Sequence, residues 1–296
     1  MRAKRTSGQR KRQFLCGSKT FDFSRRTYIM GILNVTPDSF SDGGAFYDPD
    51  RAVAHGLQMA ADGADIIDIG AESTRPGAEP VSEAEELRRL LPVVEELVHK
   101  VNVPISIDTY KSGVAAAALK AGATMINDIS GLRFDPLLKE VAAEYQVPVI
   151  IMHIKGEPRH MQQNPHYDDL MGEIVQYLEE SIQLALQAGI DRSKLIIDPG
   201  IGFGKRLEDN YEILRRLGEF KRLGCPILVG PSRKSFIGKV LNLPPDQRLE
   251  GTLAAVTAAI LQGADIVRVH DVKQVRRACW IADIIAGKAP ATEVGA

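Results

Sequence analysis

The sequence predicts a (β/α)8 TIM barrel of the α/β class, preceded by a short N-terminal hairpin. From residue 28 onward, eight short apolar runs alternate with longer amphipathic stretches. Runs that are apolar throughout are typical of buried parallel strands, and eight strands close a barrel. The chain has 296 residues, enough for the usual ~250 of such a barrel. The alternative is an open doubly wound sheet, but the Gly-rich fingerprint that would favour it is absent after the first strand.

The composition is that of an ordinary globular protein. Hydrophobic residues make up 44%, charged residues 25%, and the formal net charge is −1, so we expect neither a nucleic-acid partner nor a membrane partner. The three cysteines (Cys16, Cys225 and Cys279) are far apart and form no CxxC. This argues against disulfides or a zinc site and favours reduced thiols in the cytoplasm. No apolar run reaches the ~20 residues of a membrane span.

The chain is expected to comprise a basic disordered tail, residues 1–12, and one (β/α)8 domain, residues 13–296. Six of the first twelve residues are Arg or Lys, and none is acidic. No apolar segment of a secretory signal follows, and a nucleic-acid-binding arm is the alternative to a solvated tail. Residues 13–25 alternate around Gly17 and Ser18, which predicts the hairpin.

Strands and helices then alternate in chain order. The predicted strands are residues 28–35, 65–69, 104–108, 125–129, 148–153, 195–198, 226–229 and 266–270. Among the stretches between them, the clearest amphipathic helices are residues 83–100, 170–188 and 208–223. A Gly follows several of the helices at the usual C-cap position, in similar joins such as KAGATMINDI and QGADIVRVHD. This similarity indicates one βα unit used repeatedly.

Nearly every predicted strand ends in a polar residue. In chain order these are Asn34, Asp68, Asp108, Asn127 with Asp128, His153, Asp198, and Arg268 with His270. A helix-capping role remains open for Asp128 and Asp271, and for Asp68 we expect a contact with loop backbone rather than chemistry. Because the carboxyl ends of barrel strands meet at one mouth, the polar residues together predict a binding site there.

The charged residues expected at this mouth predict which chemical groups the ligand has. The cationic side chains are Arg75, Lys234, Arg268 and His270. Cations grouped near helix N-termini suit phosphate, and only one of the adjacent Arg233 and Lys234 is expected to point inward. Two carboxylates, Asp108 and Asp198, suit an aminated heterocycle that donates N–H groups.

Several other motifs predict no activity of their own. The segment DPGIGFGK at residues 198–205 lacks the spacing of a phosphate-binding loop, and its glycines favour a tight loop over the mouth. His153, His160 and His166 match no common zinc spacing. No Ser lies in a GxSxG context and no Cys has a catalytic setting, so covalent nucleophilic catalysis is not expected.

Seven motifs follow one another along the chain: GILNVTPDSFSDGG (31–44), ESTRPGAEPV (72–81), SIDTYK (106–111), INDISG (126–131), DPGIGFGK (198–205), GPSRKSFIG (230–238) and VRVHDV (267–272). Together and in this order they resemble the motifs of the dihydropteroate synthase family. The resemblance implies a transferase of folate biosynthesis that joins 7,8-dihydropterin-6-ylmethyl diphosphate to 4-aminobenzoate. The products would be 7,8-dihydropteroate and pyrophosphate. It also implies a Mg²⁺ requirement, a homodimer and inhibition by sulfonamides.

The resemblance assigns a role to individual positions. The implied pterin-binding residues are Asp108, Asn127, Met152, Asp198, Phe203 and Lys234. The implied diphosphate-binding residues are Asn34, which would also bind Mg²⁺, Thr74, Arg268 and His270. The implied aminobenzoate-binding residues are Phe40, Thr74, Arg75, Pro76 and Ser235, the first four in two mobile loops. Asp108, Lys234 and Arg268 would be catalytic.

The chemistry of the mouth agrees with that assignment. We expect C–O bond breaking to run ahead of amine attack, with Asp108 and Asp198 stabilising a cationic pterin. An aniline nitrogen is already a nucleophile, so no strong base is needed. One alternative is a pterin-binding methyltransferase domain acting on a methylated folate, and another is a barrel that only binds. The loop sequences STRPG and GPSRKSF, with their cations, favour the synthase.

Overall fold

The N-terminal hairpin closes one end of the barrel. The computed structural model describes residues 13–36, 48–74 and 77–288. Strands β1 (Gln13–Cys16) and β2 (Lys19–Asp22) pair antiparallel. They bury Phe14 and Phe21 against Tyr28, whose ring centroid lies 4.7 Å from that of Phe21 in an edge-to-face contact. The predicted basic tail lies outside the described residues.

Eight parallel strands form the barrel, as the sequence predicts. They are β3 (Tyr28–Asn34), β4 (Ile66–Gly70), β5 (Ile105–Asp108), β6 (Met125–Asp128), β7 (Val149–Met152), β8 (Leu195–Asp198), β9 (Leu228–Val229) and β10 (Ile266–Val269). Their order in the sheet is β8-β7-β6-β5-β4-β3-β10-β9. A parallel bridge between Ile197 and Ile227 joins the two outer strands, and the Ile197 N–H donates to the Pro226 carbonyl at 2.9 Å. The doubly wound alternative is therefore wrong.

Helices cover the outside of the strands. They are α1 (Pro49–Asp62), α2 (Glu83–Lys100), α3 (Ser112–Lys120), α4 (Leu138–Tyr145), α5 (Leu170–Gln187), α6 (Leu207–Arg215), α7 (Ser235–Leu241), α8 (Leu249–Leu261) and α9 (Val272–Ile285). The predicted helix at 83–100 is confirmed, and that at 170–188 ends one residue earlier. No helix in the described part of the chain is long and apolar enough to cross a membrane.

The single predicted helix at 208–223 is wrong. Helix α6 ends at Arg215, and residues Leu217–Leu223 form a 3₁₀ helix. Leu217, Phe220 and Leu223 are all buried, and this spacing of three places them on one face of a 3₁₀ helix with three residues per turn. Gly218 within this segment further weakens an α-helix. Burial of these three side chains therefore determines the local winding.

The strands bury different side chains on their two faces. Outward residues such as Ile69, Ile107 and Ile197 pack under the helices. Inward residues at the hairpin end, such as Met30 and Ile66, join the hairpin aromatics. Apolar side chains thus fill the N-terminal end of the barrel, and the polar inward residues are left to its C-terminal end.

Candidate active site

Arg268 links two carboxylates inside the C-terminal mouth. Its Nε donates to Asp68 Oδ2 at 2.6 Å, and its Nη2 donates to Asp108 Oδ2 at 2.5 Å. Asn127 Nδ2 also donates to Asp68 Oδ2, at 2.9 Å. Strand register explains the cluster, since Asp108 is directly paired with Asn127 on the next strand. The sequence prediction that polar strand ends converge is confirmed for these residues.

The expectation for Asp68 is wrong. Its side chain contacts Arg268 and Asn127 rather than loop backbone, and it is fully buried. The reason is that strand β4 extends to Gly70, so Asp68 lies within the strand and its side chain points into the barrel. The alternation of IIDIG, with Ile67 and Ile69 facing outward, is the sequence signal that could have placed it there.

Burial perturbs the ionisable groups of the mouth. It raises the pKa of Asp108 to about 7, although the Arg268 guanidinium opposes this. It also raises the pKa of Asp198, against the attraction of Lys234. Burial lowers the pKa of the Lys234 ammonium to about 8, although Asp198 favours the charged form. Burial thus favours the neutral forms of both the carboxyl groups and the ammonium. Perturbed pKa values of this kind are typical of a functional cleft.

Lys234 and the loop after β8 form the second half of the site. Lys234 Nζ donates to the Ile201 carbonyl and lies 4.7 Å from the centroid of the Phe203 ring. Asp198 Oδ1 accepts the Gly200 N–H at 2.7 Å. This loop therefore folds back over the strand end and brings an aromatic ring next to the ammonium.

The loop is fixed from below by a residue that sequence reasoning missed. Lys205 is buried, and its Nζ donates to His153 Nδ1 at 2.9 Å and to the Phe203 carbonyl at 3.0 Å. Burial lowers the pKa of His153 well below its usual value, so the imidazole is neutral and accepts at Nδ1. The Lys at the end of GFGK is the sequence signal for this role, which the spacing of the glycines alone does not indicate.

Gly200 allows the closest backbone approach in this loop. Its φ is +72°, and a Cβ built on it would lie 1.9 Å from the His153 carbonyl oxygen. We expect Gly200→Ala to lower the free energy of unfolding by at least about 3 kcal/mol, because backbone must move. Gly189→Ala is the matched control, since Gly189 has a φ of +91° with nothing within 4 Å. It should cost about 1 kcal/mol. Urea denaturation measures both, and equal losses would contradict the steric argument.

An apolar wall stands beside the polar cluster. Met152 at the end of β7 packs with Ile129, Ile154 and Met161, and Phe203 packs against this group from the loop. An apolar surface next to paired carboxylates and an amide suits a heteroaromatic ring with N–H groups at its edge. The predicted positions of Met152 and Phe203 in one site are thus consistent with the geometry.

The other predicted positions lie around the rim. Asn34 ends β3 and is partly exposed, Thr74 lies in the loop after β4, and Ser235 is the exposed first residue of α7. His270 Nδ1 lies 3.0 Å from Ser232 Oγ, which also accepts the His270 N–H. Phe40, Arg75 and Pro76 lie outside the described residues.

Two carboxylates near the rim have structural roles. Arg233 pairs with Asp271, so of the adjacent cations only Lys234 points into the site, as predicted. Asp271 therefore forms an ion pair rather than a side-chain cap of α9. Asp128 accepts N–H groups of Ser130 and Leu132, which fixes the loop after β6.

Comparison with known proteins gives one consistent result. A family model described as pterin binding enzyme matches residues 30–270. Dihydropteroate synthase of Synechocystis sp. is 52% identical over 270 residues, covering 91% of this chain and 93% of the relative. A Yersinia pestis dihydropteroate synthase structure with a sulfonamide drug complex is 47% identical with a TM-score of 0.89, covering 93% of this chain and 99% of that one. The Xanthomonas albilineans dihydropteroate synthase with 4-aminobenzoic acid is 45% identical with a TM-score of 0.87, covering 93% and 98%.

Proposed function

The chain belongs to the family of pterin-binding enzymes and has dihydropteroate synthase activity, and we propose how its residues carry out that reaction. The reaction joins 7,8-dihydropterin-6-ylmethyl diphosphate to 4-aminobenzoate and releases pyrophosphate, a transferase step of folate biosynthesis. The observation that carries the assignment of roles is the hydrogen-bonded cluster of Asp108, Asn127 and Arg268 around Asp68. It lies at the C-terminal mouth within the matched family region.

We assign the pterin to the space between the polar cluster and the apolar wall. The edge of the pterin ring presents N–H groups and ring nitrogens. Hydrogen bonds from the N–H groups go to Asp108 and Asp198, and the Asn127 amide can accept or donate there. Met152 and Phe203 cover the faces of the ring, and the Lys234 ammonium is available to the ring carbonyl. These roles are consistent with the burial of Met152, Asn127 and Asp198 at the strand ends.

Arg268 and His270 are proposed to hold the diphosphate. The Arg268 side chain is 20% exposed, so it reaches the upper part of the mouth, and guanidinium suits phosphate oxygens. His270 directly follows β10, two residues after Arg268, and its backbone N–H is fixed by Ser232. Both groups would neutralise charge that grows on the leaving diphosphate.

Asn34 fits the expected Mg²⁺ site. Its side chain forms no hydrogen bond with another described residue, and Mg²⁺ is commonly bound by one or two protein oxygens together with waters and substrate phosphates. Within the described ranges no group of three His, Cys, Asp or Glu side chains could hold a metal ion alone, which agrees with an ion shared with the diphosphate. When bound, Mg²⁺ supplies charge neutralisation at the phosphate oxygens.

The order of bond changes follows from the charges. We propose that the C–O bond to diphosphate lengthens first, and that Asp108 and Asp198 stabilise the positive charge left on the pterin. The 4-aminobenzoate nitrogen then forms the C–N bond and loses its proton to water or to the departing diphosphate. No described carboxylate or histidine has to act as a strong base, because an aniline lone pair is available at neutral pH.

The aminobenzoate is proposed to bind at the rim. Ser235 begins α7, where N–H groups and a hydroxyl suit a carboxylate, and Thr74 lies in the loop after β4. Phe40, Arg75 and Pro76 are proposed to complete this pocket from the parts of the two loops outside the described residues. A sulfonamide that resembles 4-aminobenzoate would occupy the same place.

Pyrophosphate release tests the function directly. The enzyme is assayed with the pterin diphosphate, with and without 4-aminobenzoate, with and without Mg²⁺, and with a sulfonamide. We expect pyrophosphate release that requires both 4-aminobenzoate and Mg²⁺ and is blocked by the sulfonamide. Release independent of 4-aminobenzoate would refute the synthase assignment. Loss of a methyl group from a methylated folate would favour the methyltransferase alternative.

The pH dependence of kcat/KM for the pterin diphosphate should be bell-shaped. Asp108 is ionised above its pKa of about 7, and Lys234 is protonated below its pKa of about 8. If both charges are needed, kcat/KM rises with pH through about 7 and falls above about 8. Because the groups are coupled, the two apparent pKa values describe the cluster rather than single residues. Pyrophosphate release across this range measures it, and a flat profile from about pH 6 to about pH 9 would contradict the assignment.

We propose that a second copy of the chain covers an apolar groove between α6, α7 and α8. The groove has a volume of about 500 Å³, and Val240, Leu241 and Leu261 beside it are each at least 45% exposed. Helix α8 has one charged residue, Glu250, among its thirteen, so both of its faces require apolar cover. Light scattering after a sizing column should give a dimer, and Leu241→Asp should give a monomer. A monomeric wild type would refute this.

A cytoplasmic location is proposed from the thiols. Cys16, Cys225 and Cys279 are buried and form no disulfide with one another. Burial raises the pKa of Cys16 and of Cys279 to about 12, which keeps these thiols protonated. Buried cysteines without disulfides are typical of proteins in a reducing compartment.

A further inference from the structure

We propose that Asp68 is a positioning residue that keeps Arg268 in the mouth while Arg268 exchanges Asp108 for the diphosphate. The proposal rests on the roles given above to Asp108 and Arg268. It adds Asp68, which is not among the residues implied to bind substrate. It also explains why the mouth holds a third carboxylate besides Asp108 and Asp198.

One carboxylate oxygen of Asp68 holds two members of the site. Oδ2 accepts from Arg268 Nε at 2.6 Å and from Asn127 Nδ2 at 2.9 Å. The Asp68 side chain is 0% exposed, whereas those of Arg268 and Asp108 are 20% and 11% exposed. The Nε end of the guanidinium is therefore bound deep in the barrel, and its Nη2 end extends toward the substrate side.

The two ion pairs of Arg268 have different consequences for binding. Asp108 is needed by the pterin, so the Nη2 contact with Asp108 must be given up or shared when the pterin enters. The Nε contact with Asp68 lies below the pterin and need not change. A guanidinium that pivots on Asp68 can then turn Nη2 toward the diphosphate without leaving the mouth.

The charge balance supports the same conclusion. Asp68, Asp108 and Asp198 face Lys234 and Arg268, and Lys205 also acts on Asp198, so three carboxylates balance three cations when all are ionised. Without Asp68 one cation is uncompensated, and Asp108 becomes the only carboxylate that Arg268 contacts among the described residues. Arg268 would then compete with the pterin for Asp108 more strongly.

A merely structural role explains the surroundings of Asp68 poorly. Its Oδ1 atom and the Ser106 hydroxyl are both buried without a hydrogen-bond partner among the described residues, and these two residues are directly paired on β4 and β5. A buried carboxylate with an unused oxygen costs stability. An amide at this position could keep both Oδ2 contacts through its own oxygen and would replace the unpaired Oδ1 by an uncharged NH₂, so Asp68→Asn should fold.

The test compares Asp68→Asn with Asp283→Asn. Asp283 is also buried, but at the other end of the barrel, where its carboxylate accepts the N–H and hydroxyl of Thr27. For Asp68→Asn we expect the KM for the pterin diphosphate and the inhibition constant of pyrophosphate to rise about tenfold, as for a weakened charged contact, with the KM for 4-aminobenzoate unchanged. Asp283→Asn should lower stability and leave all three constants unchanged.

Two results would overturn the proposal. One is Asp68→Asn with unchanged constants for the pterin diphosphate and pyrophosphate, and the other is a pattern shared with Asp283→Asn.

A crystal structure of the wild type with the pterin diphosphate gives a second test that does not depend on a folded variant. Arg268 Nε should remain bonded to Asp68 while Nη2 leaves Asp108, and loss of the Asp68 contact would refute the pivot. Failure of the synthase assignment itself would appear earlier, as a wild type without activity.

Discussion

Asp108→Asn is expected to lower kcat by about two to three orders of magnitude while the KM for 4-aminobenzoate stays within about twofold. Asp108 is the carboxylate that Arg268 reaches at 2.5 Å, on the strand end nearest to Asn127. An amide keeps its shape but removes the negative charge that stabilises a cationic pterin. The charge matters most in the transition state, because the pterin becomes positive only as the C–O bond breaks.

Steady-state kinetics with both substrates measures the Asp108 prediction. Asp128→Asn is the matched control, because Asp128 is a fully buried carboxylate on the adjacent strand β6 whose bonds go to its own loop. It should reduce thermal stability and leave kcat within about threefold. Equal losses in kcat and in affinity for 4-aminobenzoate for Asp108→Asn would contradict the proposed stabilisation of a cationic pterin.

The barrel was predictable because its signals are local and repeated. Apolar strands, a Gly after several helices and the count of eight each follow from short stretches of sequence, and the register then brings Asp108 next to Asn127. The sequence predictions that are wrong concern features that depend on tertiary contacts. The helix predicted at 208–223 divides because Leu217 and Phe220 are buried on a 3₁₀ face, which α-helical periodicity does not anticipate.

The roles of two inner residues of the site, Asp68 and Lys205, were not predicted from the sequence. Residue types identified Asp198 and Lys234, since strand ends and loop cations are visible in the sequence. The roles of Asp68 and Lys205 depend on which way a side chain points across the barrel and on which carbonyl or ring nitrogen it meets. Such contacts join residues far apart in sequence, as Arg268 and Asp68 are, and only the closed sheet brings them together.

Arg268→Lys should lower kcat/KM for the pterin diphosphate by about 100-fold, although the charge is kept. The guanidinium contacts Asp68 and Asp108 at the same time through two different nitrogens. A lysine ammonium is a single point and cannot hold both carboxylates while also reaching the diphosphate. The loss should therefore concern binding and departure of the diphosphate and leave the KM for 4-aminobenzoate nearly unchanged.

Arg233→Lys provides the control for Arg268→Lys. Arg233 is also a guanidinium bound to a carboxylate through two nitrogens, but its partner is Asp271 and it points away from the site. Its replacement should leave kcat/KM within about threefold, because an ion pair at this exposure contributes little. Similar losses for Arg233→Lys and Arg268→Lys would contradict a specific role for Arg268, and no loss for either would mean that positive charge at the mouth is sufficient. A large loss for Arg268→Lys alone would mean that catalysis requires the forked geometry between Asp68, Asp108 and the diphosphate.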